Sequence, residues 1–237
     1  MEKYQEIERT IIKTYRAHLW APFIKTLKEY QLLEENDHIG IFIFGDKKSM
    51  LLAKLFEELK KHSDFEFEVS YVACSLNKLK YNANLDLLNI KSIIKDDVTD
   101  DLVSLKEVAN ELGITKIVGV SNFDDAIEST LSSILKKGCY ETILPKEYIE
   151  DEFEIINPLY LIRNRDITRW ANFNELKFIE KTKEKDGLDV AGLIHDLQDY
   201  NPLVEKNIFK STSNVNLDKV LGYIQKAEKT TFLDEYE

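Results

Sequence analysis

The stretch that most constrains the fold is His38-Ile39-Gly40-Ile41-Phe42-Ile43-Phe44, which is short, β-branched and almost unbroken in its apolar character. A strand with one wet face alternates apolar and polar residues, whereas a run like this one belongs to a strand buried on both faces, as in the middle of a parallel sheet. Behind it, Gly45-Asp46-Lys47-Lys48 reads as a turn and Ser49 to His62 as a helix, with Met50, Leu51, Leu55 and Leu59 inward and Lys54, Glu57, Lys60 and Lys61 outward. Strand, turn and helix form the opening unit of an α/β fold.

The alternation then repeats. Phe65 to Cys74 reads as a second strand, Asn82 to Leu88 as a short helix and Lys91 to Ile94 as a weak third strand. Asp100 to Leu112 is a helix closed by Gly113, Lys116 to Val120 a fourth strand, and Asn122 to Lys137 a helix closed by Gly138. Glycine ends helices well because the terminating residue adopts a left-handed backbone. The expected fold class is α/β and Rossmann-like: a mostly parallel sheet with helices on both faces and a ligand crevice at the carboxyl ends of the strands, near Phe44-Gly45 and Val120-Ser121.

Ahead of the sheet, Ile7, Ile11, Tyr15, Leu19, Phe23 and Leu27 recur at helical spacing and predict one or two amphipathic helices broken near Pro22. Past Tyr140 the pattern weakens. Asn164 to Glu175 reads as a helix, Lys181 to Gly187 as a charged linker, and the tail as short helices around Leu188 to Tyr200, Pro202 to Ile208 and Leu217 to Lys229. The expected division is an N-terminal helical appendage at 1–36, the α/β domain at 37–180 and a C-terminal helical tail at 181–237.

Composition narrows the function classes. The 32 Lys+Arg against 43 Asp+Glu give a net charge of −11, too acidic for a protein that grips a phosphate backbone over its whole surface, so any nucleic-acid contact needs a locally basic face. The two cysteines, Cys74 and Cys139, form neither a disulfide framework nor a cysteine-based metal site and fit a reducing, cytoplasmic setting. No apolar run approaches roughly 18 residues and the start, Met1-Glu2-Lys3-Tyr4-Gln5-Glu6, lacks a signal-peptide core, so no membrane partner is expected.

Gly45 to Ser49 lies where a phosphate cradle would be, between a buried strand and a helix N-terminus whose free N–H groups and dipole favour anions. On local residues alone this is a weak signal, and an ordinary βα turn is the better reading. The surrounding sequence adds more. Glu2-Lys3-Tyr4-Gln5-Glu6-Ile7-Glu8-Arg9, Asp37-His38-Ile39, Ser49-Met50-Leu51-Leu52-Ala53-Lys54, Phe123-Asp124-Asp125-Ala126-Ile127-Glu128, Pro158-Leu159-Tyr160-Leu161-Ile162-Arg163, Ile167-Thr168-Arg169-Trp170-Ala171, Asn201-Pro202 and Asn207-Ile208-Phe209-Lys210-Ser211-Thr212 together resemble the tRNA 2-thiocytidine synthetase family of PP-loop ATP pyrophosphatases over nearly the whole chain. That resemblance implies a PP-loop sheet, adenylation of a tRNA base with ATP, and sulfur transfer through cysteines and an iron–sulfur cluster.

The departures from the family pattern are as informative as the matches. Where the family's loop reads SGGKDS, this chain has Phe44, Gly45, Asp46, Lys47, Lys48 and Ser49, so Gly45, Lys47 and Ser49 alone survive. Asp46 hinders backbone approach to a pyrophosphate and adds repulsion: two unit charges about 4 Å apart interact by roughly 4 kcal/mol at an effective dielectric near 20. Lys48 offsets part of this by pairing with Asp46 but replaces an acidic group that would work near magnesium. At the family's paired histidines stand Ser121 and Asn122, while His18, His38, His62 and His195 lie elsewhere. Asp124 and Asp125 are kept, and Asn122 with Asp125 three residues on also fits a plain helix cap. The family's cluster cysteines are missing after Ile94, where Lys95-Asp96-Asp97-Val98-Thr99 leads directly to the next helix, and again at Phe178-Ile179-Glu180-Lys181-Thr182. Cys74 and Cys139 read as structural residues.

The expected function is accordingly a degenerate PP-loop protein that has lost its cluster and an intact loop, non-catalytic, and binding or regulatory, with a homodimer or an active paralogue as partner. Gly45, Lys47, Ser49, Asp124 and Asp125 are the expected remnant of a nucleotide site. No catalytic residue is assigned, no metal site and no iron–sulfur cluster are expected, and ATP with magnesium is the only cofactor left to consider. The alternatives are an adenylating enzyme that works without a cluster, and a tRNA-binding module in which Arg163, Arg165 and Arg169, with Lys136, Lys137 and Lys146, line one rim diluted by Glu147, Glu150, Asp151, Glu152 and Glu154.

Overall fold

The computed structural model describes residues 2–74, 78–96, 98–149, 153–178 and 187–234, with the backbone alone for 78–82. The chain divides into two units, Met1–Ala126 with Ile143–Gly187, and Ile127–Thr142 with Leu188–Glu237.

The first unit opens with α1 (Lys3–Arg9), two π-helical segments (Thr10–Thr14 and Arg16–Trp20) and α2 (Ala21–Glu29). The expected break near Pro22 falls earlier, at the π-helical segments on either side of Tyr15. Pro22 instead lies in the first turn of α2, where its missing N–H costs no hydrogen bond. Then follow β1 (His38–Ile43), α3 (Lys47–His62), β2 (Glu68–Cys74), α4 (Lys78–Leu88), β3 (Ile93–Lys95), α5 (Leu102–Leu112), β4 (Lys116–Val118) and the start of α6 (Phe123–Ser132). The unit closes with β5 (Lys146–Ile149), β6 (Phe153–Ile156) and α7 (Asn164–Phe173).

Six strands form one sheet in the order β3-β2-β1-β4-β6-β5. Every neighbouring pair is parallel except β5 with β6. This is the expected α/β, mostly parallel architecture, with β1 at its centre. The β5–β6 hairpin is an addition to the four strands legible in the sequence, and it carries the sheet beyond β4.

Period-two alternation sends Ile39, Ile41 and Ile43 to one face and Gly40 and Phe42 to the other. The first face packs with Ile7, Ile11, Leu19, Phe23 and Leu27, with Met50, Leu51 and Leu55 of α3, and with Ile167 and Trp170 of α7. The N-terminal helices, expected as an appendage, thus share one apolar core with the sheet. Phe42 joins Val72, Val108, Ala109, Ile114 and Ile117 on the opposite face. Ile114 lies so close to the backbone of Gly40 that an added Cβ would meet its Cδ1 at 2.8 Å, which explains a glycine inside a buried strand.

The second unit contains the rest of α6, a π-helical turn (Ser133–Lys137), α8 (Val190–Tyr200), α9 (Val204–Ser211), a 3-10 turn (Leu217–Lys219) and the hairpin β7 (Gly222–Gln225) and β8 (Glu228–Thr231). Gly113 and Gly138 end their helices at φ 67° and 68°, as expected. The helix expected from Leu217 to Lys229 is replaced by the hairpin, whose turn residues Lys226 and Ala227 both adopt positive φ, the conformation of the tight turns that match strand twist. The expected charged linker lies, apart from Gly187, outside the described residues. Among the described residues no helix is long and apolar enough to cross a membrane.

Candidate functional site

β2 lies on one side of β1 and β4 on the other, so the loops that leave β1 and β4 diverge at the reversal of strand order, where open α/β sheets hold ligands. At that point Lys48 joins the turn Gly45 to Ser49 to Asp125 at the start of α6, while Lys47 and Asp124 each bond to α7.

Gly45 turns the chain with φ 84°, a conformation that favours glycine. Asp46 follows as the N-cap of α3. Its Oδ1 accepts the backbone N–H of Lys48 at 2.9 Å and that of Ser49 at 3.0 Å. Its Oδ2 accepts the Ser49 hydroxyl at 2.7 Å. The helix begins at Lys47, so Lys47 and Lys48 lie in its first turn and not in a preceding loop. Two N–H groups at this helix start, those of Lys48 and Ser49, are thus bonded to the chain's own carboxylate, where an anion would otherwise compete for them.

Both loop lysines also have internal partners. Lys47 Nζ donates to Thr168 Oγ1 of α7 at 2.7 Å, and that hydroxyl donates to the Asn164 carbonyl at 3.0 Å. Lys48 Nζ pairs with the Asp125 carboxylate. The expected pairing of Lys48 with Asp46 is therefore corrected: only the Lys48 backbone N–H reaches Asp46, because the Asp46 carboxylate is turned back onto the helix end.

At the start of α6 the Asn122 N–H donates to Asp125 Oδ2 and the Asp125 N–H to Asn122 Oδ1, both at 3.0 Å, a reciprocal cap of the kind their spacing predicts. Asn122 is fully buried. Asp124 accepts the Asn164 N–H at 2.7 Å and so ties the start of α6 to the start of α7. Thr168 enters the sequence reading only as part of the matched stretch Ile167 to Ala171, and its bond to Lys47 spans 121 residues.

The arginines sit at α7, Arg163 as the residue before the helix and Arg165 and Arg169 within it. Arg163 lies over the Phe123 ring, 4.6 Å from its centroid. Arg165 and Arg169 extend from the buried Asp166 carboxylate at 3.8 Å and 3.5 Å, with His18 at 3.7 Å on its other oxygen. Lys146 does not join them. Its ammonium donates to the Gln31 carbonyl at 3.1 Å and lies 3.6 Å from Glu154. Lys136 and Lys137 belong to the second unit, and Glu150, Asp151 and Glu152 lie outside the described residues.

The residues do not fit an iron–sulfur cluster. Cys74 is buried at the end of β2, and burial pushes its thiol up to about 12. Cys139 lies in the other unit. Among the described residues, no group of three or more His, Cys, Asp or Glu side chains is placed to hold a metal ion.

No family model matches the chain. It is 26% identical to tRNA-cytidine(32) 2-sulfurtransferase 1 of Francisella philomiragia, covering 81% of this chain and 87% of that protein. The identity is again 26% to tRNA-cytidine(32) 2-sulfurtransferase 2 of Francisella tularensis, covering 81% and 88%. Among solved structures, the U34-tRNA thiolase of Methanococcus maripaludis, solved with its 4Fe–4S cluster, superposes with a TM-score of 0.58 at 16% sequence identity, covering 81% of this chain and 76% of that one. This likeness concerns the fold: a PP-loop, Rossmann-like sheet.

Proposed function

The chain is a relative of tRNA 2-thiolation enzymes and shares the PP-loop fold, and from that premise we propose that it is a non-catalytic, cytoplasmic member of this group that acts as an assembly partner, either of a second copy of itself or of an active relative. One observation carries this reading: the Asp46 carboxylate holds the Lys48 and Ser49 N–H groups. A phosphate entering the loop would have to displace a carboxylate that is covalently attached and already in place, and would meet its charge after doing so. The bonds of Lys47 to Thr168 and of Lys48 to Asp125 support the same reading, since both ammonium groups are held by the fold. Two cysteines in the whole sequence support the loss of cluster-dependent sulfur transfer.

On this reading the site is a structural joint. Asp46 closes the start of α3, the Asn122–Asp125 cap closes α6, and Asp124, Lys48 and Lys47 tie these two helices to each other and to α7. Isothermal titration with ATP, AMP and pyrophosphate, with and without magnesium, tests it. The expected result is no binding up to millimolar ligand. Micromolar ATP binding abolished by Lys47→Ala would instead favour an adenylating enzyme built on Gly45, Lys47, Ser49 and Asp124.

A second reading, a tRNA-holding module, draws on the exposed guanidinium groups of Arg165 and Arg169 beside Arg163. It requires tRNA retention that weakens steeply with salt. A flat gel shift at low salt removes it.

A further inference from the structure

Among the described residues the β7–β8 hairpin forms a two-stranded sheet of its own, paired with no further strand. Such a ribbon is marginally stable alone and gains from a further strand. The edge of β8 is obstructed, because the Asp234 carboxylate accepts both the N–H and the hydroxyl of Thr231 at 2.7 Å. Alternation of the ladder turns the backbone groups of Gln225, Tyr223 and Leu221 toward β8, and the Phe232 N–H donates to the Leu221 carbonyl at 3.1 Å. The backbone groups of Gly222 and Ile224 therefore face the open edge of β7.

We propose that two copies of this chain pair through β7, antiparallel and centred on Tyr223. This rests on the reading of the chain as an assembly partner. In that register Gly222 of each copy lies opposite Ile224 of the other, and the two pairs exchange four backbone hydrogen bonds. The fit is self-complementary. Gly222 helps line a hollow of about 240 Å³ with Leu217, Val220, Tyr223, Thr231 and Phe232, and Asp218 lies at the same hollow. Two residues along the same strand, Ile224 stands 74% exposed. A strand that carries a hollow and an apolar knob at this spacing meets its own two-fold copy with both matched, which is the requirement for an isologous interface. Charge points to the same edge. Two chains of net charge −11 repel over most of their surfaces, whereas Val220 to Gln225 contains no charged residue.

Sedimentation equilibrium of the full chain over a concentration series tests the proposal. The expected result is a reversible rise from 27.6 kDa to twice that mass with a midpoint in the micromolar range. Ile224→Asp is expected to weaken the dimer at least tenfold, with a melting temperature equal to that of the unsubstituted chain at concentrations where both are monomeric. Tyr223→Cys, facing its own copy across the two-fold axis, is expected to form an interchain disulfide under mild oxidation, and Gln225→Cys and the unsubstituted chain are not. A chain that stays monomeric throughout overturns the proposal and leaves the edge to an extended segment of another protein. Equal dimerisation of Ile224→Asp, or no cross-link in Tyr223→Cys, overturns it as well. The mass is read independently of nucleotide titration: a monomer that ignores ATP defeats the β7 dimer and spares the non-catalytic reading, while a β7 dimer that binds ATP does the reverse.

Discussion

Asp46 and Ser49 are joined twice at the start of α3, through the Ser49 N–H to Oδ1 at 3.0 Å and the Ser49 hydroxyl to Oδ2 at 2.7 Å. One residue that the family resemblance marks as a defect is thus, in the folded chain, the helix cap. On the proposed reading, the loss of a phosphate cradle and the gain of this structural contact are one substitution.

The cap at α6 and its tie to α3 can be weighed against each other. Asp125→Ala removes the reciprocal cap with Asn122 and the pairing with Lys48, and is expected to cost about 1–2 kcal/mol. Lys48→Met removes the pairing alone and is expected to cost less than about 1 kcal/mol. Urea denaturation measures both. Equal losses would mean that the cap contributes nothing.

Much of this arrangement was legible in the sequence, and the exceptions have physical reasons. The central strand announced itself because β1 is covered on both faces, and Asn122 and Asp125 announced their cap through a spacing of three. The β5–β6 hairpin did not, since Lys146, Glu147 and Tyr148 lie on the edge strand and carry no continuous apolar run. Leu217, Leu221 and Ile224 mimic helical spacing, and the turn at Lys226-Ala227 lacks the glycine or asparagine that usually marks a tight hairpin. At the site, the pattern Asp46-Lys47-Lys48-Ser49 places an acceptor three residues before its partner, which is a cap signal as much as a damaged loop. The bonds of Lys47 to Thr168 and of Asp124 to Asn164 depend on the tertiary fold and leave no local trace.

A buried lysine supplies a stability test away from the loop. Lys54 is fully buried and donates to Glu8 at 2.6 Å and to the Leu88 carbonyl at 2.9 Å, and it also pairs with Glu57. Lys54→Met leaves the two carboxylates without their shared cation and is expected to cost about 3 kcal/mol. Adding Glu8→Gln and Glu57→Gln to that variant is expected to recover at least half of the loss. A triple variant no more stable than the single one would contradict this.

The same cluster fixes a pH dependence. Burial pushes the Glu8 carboxyl up, but hydrogen bonds from Lys54 and Lys61 outweigh it and hold the group below its ordinary value of 4.5. A folded-state value below the unfolded one stabilises the protein above pH 4.5, and that stability is lost as the pH falls through the lower value. Glu8→Gln should therefore be less stable than the unsubstituted chain near pH 6, with the difference shrinking toward pH 3 in parallel denaturation curves. A difference that stays constant would exclude Glu8 as the source.

Sulfur chemistry needs an accessible thiolate. Burial at the end of β2 holds the Cys74 thiol near 12, so a thiol reagent at neutral pH is expected to leave Cys74 unmodified in the native protein and to label it fully only in denaturant. Mass spectrometry of the labelled peptides reads this directly. Rapid native labelling of Cys74 would reopen a role in sulfur transfer.

The central claim is that the chain's own carboxylate fills its phosphate cradle, and titration of pyrophosphate into the unsubstituted chain and Asp46→Gly tests it most directly. Glycine at a helix N-cap costs only a few tenths of a kcal/mol beyond the lost Ser49 contact, so the variant should remain folded, as its melting curve will verify. The expected result is no measurable heat from the unsubstituted chain up to millimolar pyrophosphate and at least tenfold tighter binding by Asp46→Gly. Micromolar binding by the unsubstituted chain, or continued silence from a folded Asp46→Gly, would contradict the claim.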